Sequence, residues 1–557
     1  MRLVNRVAVA GLLVAAGLLP PSAARQLPSA AGQAPPAAGA SITAADLRRE
    51  VAHLASDAMG GRLTATPGNE AAAVYIAEQF RRHGLRGAGA GGSFRHAVDL
   101  VVAAQDAGNT LQTRAGTEAE AAELSRDFIP APFSASGSAA GPVVFAGFGI
   151  TADGLEHDDY RHADLAGKVV LVLDHEPGEF DPQSPFAGIV TSEHGAAIRK
   201  ALAAQRRGAA AVAIAPDVHN HTRWWTVPDL AGRFWPRSQP RVPRYQLAAW
   251  LDRVQIPVVR ISASLAERLA GAAGRTLQEL GAHAETAGGG TVVELPDVEL
   301  EVTVRVRHAT TPVDNVVGLI EGADPELRDE WIIICAHYDH EGVIGDRIFN
   351  GGDDNASGVA GLLEIAEAYG VAAAGGRRPR RSILLAAWNA EEQGLLGAWG
   401  YTEEPLAPLE DTVAVINMDM IGRSEEVPAG GGYRFAGLEP QTAESNRNAV
   451  NIIGSTYSDD LRAATGAANR SAGLDLRFRY DNNRSNLLRR SDHWPFLFNA
   501  VPAIFVHTGL HPDYHTERDH PDTLEYEKMA RVVRLVYELS RDLAEGGPRP
   551  AFNPPAP

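Results

Sequence analysis

The chain has 557 residues, 45% of them hydrophobic and 22% charged, the composition of a globular protein longer than one typical domain. Its formal net charge is −18, and taking Arg2 and Arg6 away with an N-terminal leader leaves 49 basic against 69 acidic residues, or −20. That charge disfavours nucleic acid and anionic membranes as partners.

The chain opens "MRLVNRVAVAGLLVAAGLLPPSAARQ", with Arg2 and Arg6 before an apolar stretch from Val7 to Leu19 and a small-x-small pattern at Ser22-Ala23-Ala24. This reads as a signal peptide over 1–24. About 13 apolar residues are too few to span a bilayer, which needs about 20. The mature protein is therefore expected in the periplasm or outside the cell, with no membrane attachment. Residues 25–42, rich in Ala, Pro and Gly, read as a flexible linker. The only cysteine, Cys335, lies inside the apolar run "WIIICAH" and reads as a buried thiol rather than a nucleophile.

Two helices are expected to open the folded part. Thr43 can cap a helix with Leu47, Val51 and Leu54 on one face, and "PGNEAAAVYIAEQFRRHGL" repeats the pattern with Ala73, Ile76, Ala77 and Phe80. From about 131 to 290 the texture changes to short β-type runs: "GPVVFAGFGI", "AGKVVLVLDHEPG", "RGAAAVAIAPD" and "QIPVVRISA". A helix, "HGAAIRKALAAQRRG", precedes the third. This predicts a mostly β unit with a small βαβ-like element. Its "HNH" triplet, His219 to His221, sits in a polar loop and reads as solvated histidines.

From about 291 to 545 strands alternate with helices: "WIIICAHYD", "ASGVAGLLEIAEAYG", "RRSILLAAWNAEE", "DTVAVINMDMIG", "AVPAIFVHTG" and a closing amphipathic helix, "EYEKMARVVRLVYELSRDLAE". The fold class expected is α/β, a mixed sheet sandwiched by helices with functional groups on loops leaving the strand ends. Residues 546–557 read as a disordered tail.

Several polar residues stand just after the apolar strands, where burial without a partner is costly. They are His337, Asp339, Asp353, Asp354, Glu391, Glu392, Asp419 and His515. Imidazoles and carboxylates converging from several strand ends suit zinc or a related divalent ion.

Taken in order, "HYD", "DDNASG", "NAEEQGLLG", "NMDMIGR", "RSDHWPF" and "DYHTERDHPDT" resemble the zinc aminopeptidases of peptidase family M28, with "LASDAMGGRLTATPGN" as a further match near the N-terminus. The resemblance spans roughly 43 to 545. The β unit at 131–290 resembles the protease-associated (PA) domain that many members carry as an insertion, between peptidase segments 43–130 and 291–545.

The resemblance implies a zinc exopeptidase fold and two Zn²⁺ ions, for which Co²⁺ or Mn²⁺ can substitute. Asp354 would bridge the ions, one held also by His337 and Asp419, the other by Glu392 and His515. Glu391 would be the general base and acid. Asp339 would accept the second ring N–H of His337, and Asp519 would do the same near His515. Tyr514 is assigned either to donation toward the tetrahedral oxyanion or to packing on the site wall. Asp492 and His493 find no ligand position and are assigned to shaping the pocket.

The expected substrates are peptides with a free N-terminus. The competing readings are a dimetal carboxypeptidase or amidohydrolase of the M20 type, a glutaminyl cyclase, and a non-enzymatic binding ectodomain on the same fold. The oligomeric state is not readable from the sequence.

Overall fold

Long apolar strands need cover on both faces, and the main sheet provides it. Residues 38–186, 188, 190–238 and 240–553 are described in a computed structural model of the chain. The signal peptide expected at 1–24 and the linker as far as residue 37 lie outside the described residues. Among the described residues the largest sheet has ten strands. At its centre Ser382–Trp388, Trp331–His337, Thr412–Met418 and Ala503–His507 run parallel. The strand Val306–Ile320 joins antiparallel on one side and Ala449–Ile453 on the other.

Alternation along these strands feeds two cores. Ile332, Ile334 and Ala336 pack into the core that also holds Leu47, Ile76, Leu362 and Val533, from helices Ala44–Leu54, Pro67–Arg82, Gly358–Ala374 and Tyr526–Ala544. Ile333 and Cys335 face the other core, with Trp388, Trp399, Tyr401 and Phe496. The buried thiol of Cys335 donates to Asn417 Oδ1 at 3.4 Å. Helix starts follow local chemistry: the Thr43 hydroxyl accepts from Asp46 N at 3.1 Å, and Thr66 caps the second helix.

The helix Gly358–Ala374 is buried almost all round, Glu364 included. The Glu364 carboxyl accepts from the Thr43 backbone N–H at 3.3 Å, and burial pushes its pKa up to about 8.

The second sheet has eight strands, with Val169–Leu173 parallel to Gly137–Ala146 and to Ala211–Ala215, which in turn runs parallel to Val258–Ile261. The helix Ala197–Arg206 joins the middle pair. The four β-type runs and this helix fall where the sequence predicts them. The boundaries need correcting, because strands Thr110–Ala115 and Val292–Val304 also belong to this sheet. The unit therefore runs from about 106 to 305 rather than 131 to 290. Arg95–Gln105 and Val306–Ile320 pair with each other in the main sheet, and both chains continue directly into the second. A double strand thus carries the chain out and back.

The described ends of two segments expected to be loose are held by contacts. At the end of the linker Ile42 is fully buried and its carbonyl accepts from Arg534 Nη2 at 2.8 Å. In the tail, Asn553 N donates to Tyr457 O at 2.7 Å, Ala551 N donates to Asp460 Oδ2 at 3.0 Å, and the Phe552 ring lies 5.8 Å from that of Tyr457. One aromatic residue in a Pro-rich segment is enough to dock it. No described helix is long and apolar enough to cross a membrane.

Candidate metal centre

Each central parallel strand delivers a polar group at its carboxyl end, where neighbouring loops converge. His337 closes Trp331–His337, Asp419 follows Thr412–Met418, Glu391 and Glu392 follow Ser382–Trp388, and His515 lies on the loop after Ala503–His507. His337 Nε2 lies 3.3 Å from Asp354 Oδ1 and 3.5 Å from Asp419 Oδ1. His515 Nε2 lies 3.0 Å from Asp354 Oδ2 and 3.2 Å from Glu392 Oε2. The two oxygens of Asp354 thus serve two histidine–carboxylate pairs, in the pairing the family resemblance implies.

Glu391 stands apart from the Asp354 oxygens, its Oε2 at 3.8 Å from His337 Nε2. Burial, reinforced by Asp419 and Glu392 and opposed by His337, pushes its carboxyl well above the usual range. Burial works in the same direction on Glu392, but His515 and His340 outweigh it and hold this carboxyl down to about 2. For His337 and His515 burial is again opposed, here by facing carboxylates that hold both imidazoles protonated well above their ordinary range. The doubled glutamate is therefore split electrostatically, the first favouring its proton and the second its charge.

Two further carboxylates set the backbone at the centre. Asp519 accepts from the amides of Asp353 and Asp354 at 2.8 and 2.9 Å. Asp339 accepts from those of Glu391 and Glu392 at 3.0 and 3.3 Å. Both assignments made from the sequence change. His337 Nδ1 meets the carbonyl of Asp339 at 3.2 Å, while the Asp339 carboxylate is 3.7 Å away and occupied by the amides. Asp519 spends both oxygens on amides rather than on His515. A carboxylate that accepts two successive N–H groups fixes the direction of the side chains they carry.

Asp353 turns away from the pair, accepting from Gly422 N at 2.6 Å with its other oxygen 3.2 Å from His511 Nε2. Asp492 and His493 are fully buried and line no part of the cleft, so they back the site rather than shape its pocket. Their neighbour Ser491 bonds Asp419 Oδ2 at 2.6 Å.

His340 and Arg62 were not singled out from the sequence. His340 Nδ1 lies 2.8 Å from Glu392 Oε1, a third imidazole at the centre. The fully buried Arg62 guanidinium donates to the carbonyls of Leu54, Tyr338, Asn350 and Gly351 at 2.6 to 3.0 Å, tying together the loops that carry His337 and Asp354. The signal for Arg62 was the preceding Gly60-Gly61. A Cβ on Gly61 would stand 2.4 Å from Phe349 O, so only glycine lets the arginine enter.

The cleft has a volume of about 230 Å³, with Leu395, Met420, Leu487, Phe505 and Leu510 as apolar wall and Arg490 and Tyr514 among its polar lining. Arg490 Nη2 donates to the Tyr514 hydroxyl at 3.2 Å, and burial pushes that phenol up to about 12.

The donor set fits divalent cations. His337 Nε2 and Asp419 Oδ1 are buried, point at one another across 3.5 Å, and have no hydrogen-bond partner. Groups left in that state suit a shared cation. The class defined by fold and site is an α/β protein with a divalent-metal centre at the carboxyl edge of a parallel sheet.

Residues 315–540 match the family model described as Peptidase family M28. Among curated proteins, the mouse aminopeptidase NAALADL1 is 41% identical over 125 residues, 22% of this chain and 15% of its own length. The probable glutamate carboxypeptidase of Arthroderma benhamiae is 34% identical over 126 residues, 22% of this chain and 16% of its own. Mouse transferrin receptor protein 2 is 27% identical over 327 residues, 55% and 36% respectively. The matched segments thus span between about a seventh and a third of those relatives. The solved aminopeptidase from Aneurinibacillus sp. strain AM-1 aligns with 94% of this chain and 99% of its own at 19% identity and a TM-score of 0.43.

Proposed function

We propose that the protein is an exported metallo-aminopeptidase that hydrolyses N-terminal residues from peptides. The observation that carries this reading is the division of labour at the centre: Asp354 faces two histidine–carboxylate pairs, while Glu391 lies beside His337 and Asp419 with its Oε2 3.8 Å from His337 Nε2. Asp354 would bridge two Zn²⁺ ions, His337 and Asp419 completing one and Glu392 and His515 the other. When bound, such a pair polarises the scissile carbonyl and lowers the pKa of a water. Glu391, as the carboxylate, would take the proton of the attacking water and pass it to the leaving amine. Tyr514, at the cleft wall, donates its hydroxyl to the oxygen on which charge develops.

A cleft below the roughly 300–1,000 Å³ usual for drug-sized ligands suits a single terminal residue better than the middle of a chain. The surrounding carboxylates would receive a free ammonium group. Export is supported by the charged and apolar pattern over 1–24.

The test is a panel of aminoacyl-arylamides, free and N-acylated, assayed with metal analysis. Free substrates should be cleaved and acylated ones should not, with about two metal ions per chain held at this centre. Equal cleavage of both would refute aminopeptidase action. One ion at this centre would favour the glutaminyl cyclase alternative, and a metal-loaded protein inert on the whole panel would favour a binding role. One observation favours a second reading: Arg490, beside Tyr514, is placed to hold a substrate carboxylate. Release of the C-terminal residue from N-acyl dipeptides would select that carboxypeptidase alternative.

A further inference from the structure

The second sheet repeats, on a smaller scale, the arrangement that builds the main site. Val169–Leu173 and Ala211–Ala215 are adjacent and parallel, and each is followed by a loop at its carboxyl end. The first loop, "DHEPGEF", carries His175 and Glu179, and the second, "PDVHNH", carries His221. The expectation of solvated loop histidines fails for His221, whose side chain is 17% exposed and faces the other loop.

His175 Nδ1 lies 2.7 Å from Glu179 Oε2, His221 Nε2 lies 2.9 Å from the same oxygen, and the two ring nitrogens lie 2.6 Å apart. No placement of protons satisfies all three edges of this triangle. If both nitrogens donate to the carboxylate, two N–H groups face each other. If one donates to the other, the acceptor nitrogen turns its remaining density toward the oxygen. One cation bound by all three lone pairs removes the conflict.

The surroundings hold the three atoms in place. The other carboxylate oxygen of Glu179 accepts from the Thr191 hydroxyl at 3.3 Å. Phe180 packs edge-on against the His221 ring at 5.3 Å. The buried Lys200 ammonium holds the carbonyl of His175 together with those of Phe148 and Leu173. His175 itself takes a left-handed backbone, φ 65°, uncommon for a residue other than glycine. None of the three ligand residues lines the catalytic cleft.

We propose that His175, Glu179 and His221 form a second, separate binding site for one zinc-type divalent cation, linking the loops that leave two neighbouring strands. Two imidazoles and a carboxylate are a zinc donor set, and ligands at about 2.0–2.2 Å require the triangle to open by about half an ångström. His175 and His221 also line a cavity of about 410 Å³ with Asp174, Asp217, Arg233 and Trp224, from which water could complete the coordination. This inference stands whether or not the peptidase reading holds.

The experiment counts metal in four full-length proteins: wild type, Asp354→Asn with Glu392→Gln, His175→Gln with His221→Gln, and all four changes together. The catalytic-centre variant should retain about one zinc ion per chain, the loop variant should hold about one fewer than wild type, and the combined variant none. A catalytic-centre variant free of metal, or a loop variant with the wild-type count, overturns the proposal and leaves a histidine pair clasped by a glutamate. Should the loop variant fail to fold, zinc-edge X-ray absorption of the catalytic-centre variant decides: two imidazole ligands support the site, and a shell of oxygens alone overturns it. Arylamide hydrolysis by the folded loop variant tests the peptidase centre separately.

Discussion

The two sheets place histidines and carboxylates at the carboxyl ends of parallel strands, but they finish the arrangement differently. In the main sheet His337, Asp354, Glu391 and Asp419 are buried and Glu392 is half-buried, and Asp339, Asp519 and Arg62 fix the backbone around them. In the second sheet His175 is 36% exposed, and the loops are steadied by one ammonium, one hydroxyl and one aromatic edge. Parallel strand ends supply convergence in both cases. What the main sheet adds is a set of charged groups bonded to backbone, and these turn proximity into a defined direction for each side chain.

Four substitutions test that contrast, beginning with the largest effect. Glu391→Gln should keep the metal and lower turnover by roughly two to four orders of magnitude, the scale of a general base. Loss of metal in this variant would make Glu391 a ligand and the two glutamates equivalent.

Glu364→Gln probes the buried flank of the main sheet. The folded pKa of Glu364, about 8, is raised above the 4.5 of an unperturbed glutamate, so the native state binds the extra proton between these values. Stability therefore falls as pH rises through that window, by roughly 3–5 kcal/mol in all. The amide should match wild type below pH 4 and melt higher above pH 8. Parallel melting curves at every pH would show that Glu364 carries no such penalty.

Asp519→Asn removes a carboxylate from two amides and should cost about 10–100-fold in metal affinity or activity. An unchanged variant would mean that the Asp353–Asp354 turn holds itself. At the small end, His221→Gln should alter arylamide turnover by less than about twofold, since it lies outside the cleft. A loss as large as that of Asp519→Asn would couple the two sheets and end the contrast.

The main site was readable in the sequence because His337, Glu391, Glu392 and Asp419 stand at or just after the ends of apolar strands, and a polar residue there has few reasons to exist other than chemistry. His337 after "WIIICA" and Asp419 after "VINM" announce themselves in this way. Asp339 and Asp519 were visible as residues but misassigned, because a carboxylate that bonds to amides leaves no pattern of spacing. Arg62 lies some 275 residues from Tyr338, whose carbonyl it holds, and only the glycines before it hint at its burial. His221 was misread for a related reason. Its partner His175 is 46 residues earlier, and the pair exists only because two short strands are neighbours.

The shared double strand has a consequence for how the chain is made. Arg95–Gln105 meets Gln246–Leu247 on one edge, but its long pairing waits for Val306–Ile320, roughly 200 residues later, and at about 5–20 residues per second that is a wait of some 10–40 s. During this interval the strand edge is unpaired while the second sheet can already be forming between the two halves of the ribbon. Closure of this ribbon is thus a long-range, aggregation-exposed step. Its success sets Val306–Ile320 in place as the neighbour of Ser382–Trp388, the strand that ends at "NAEEQG".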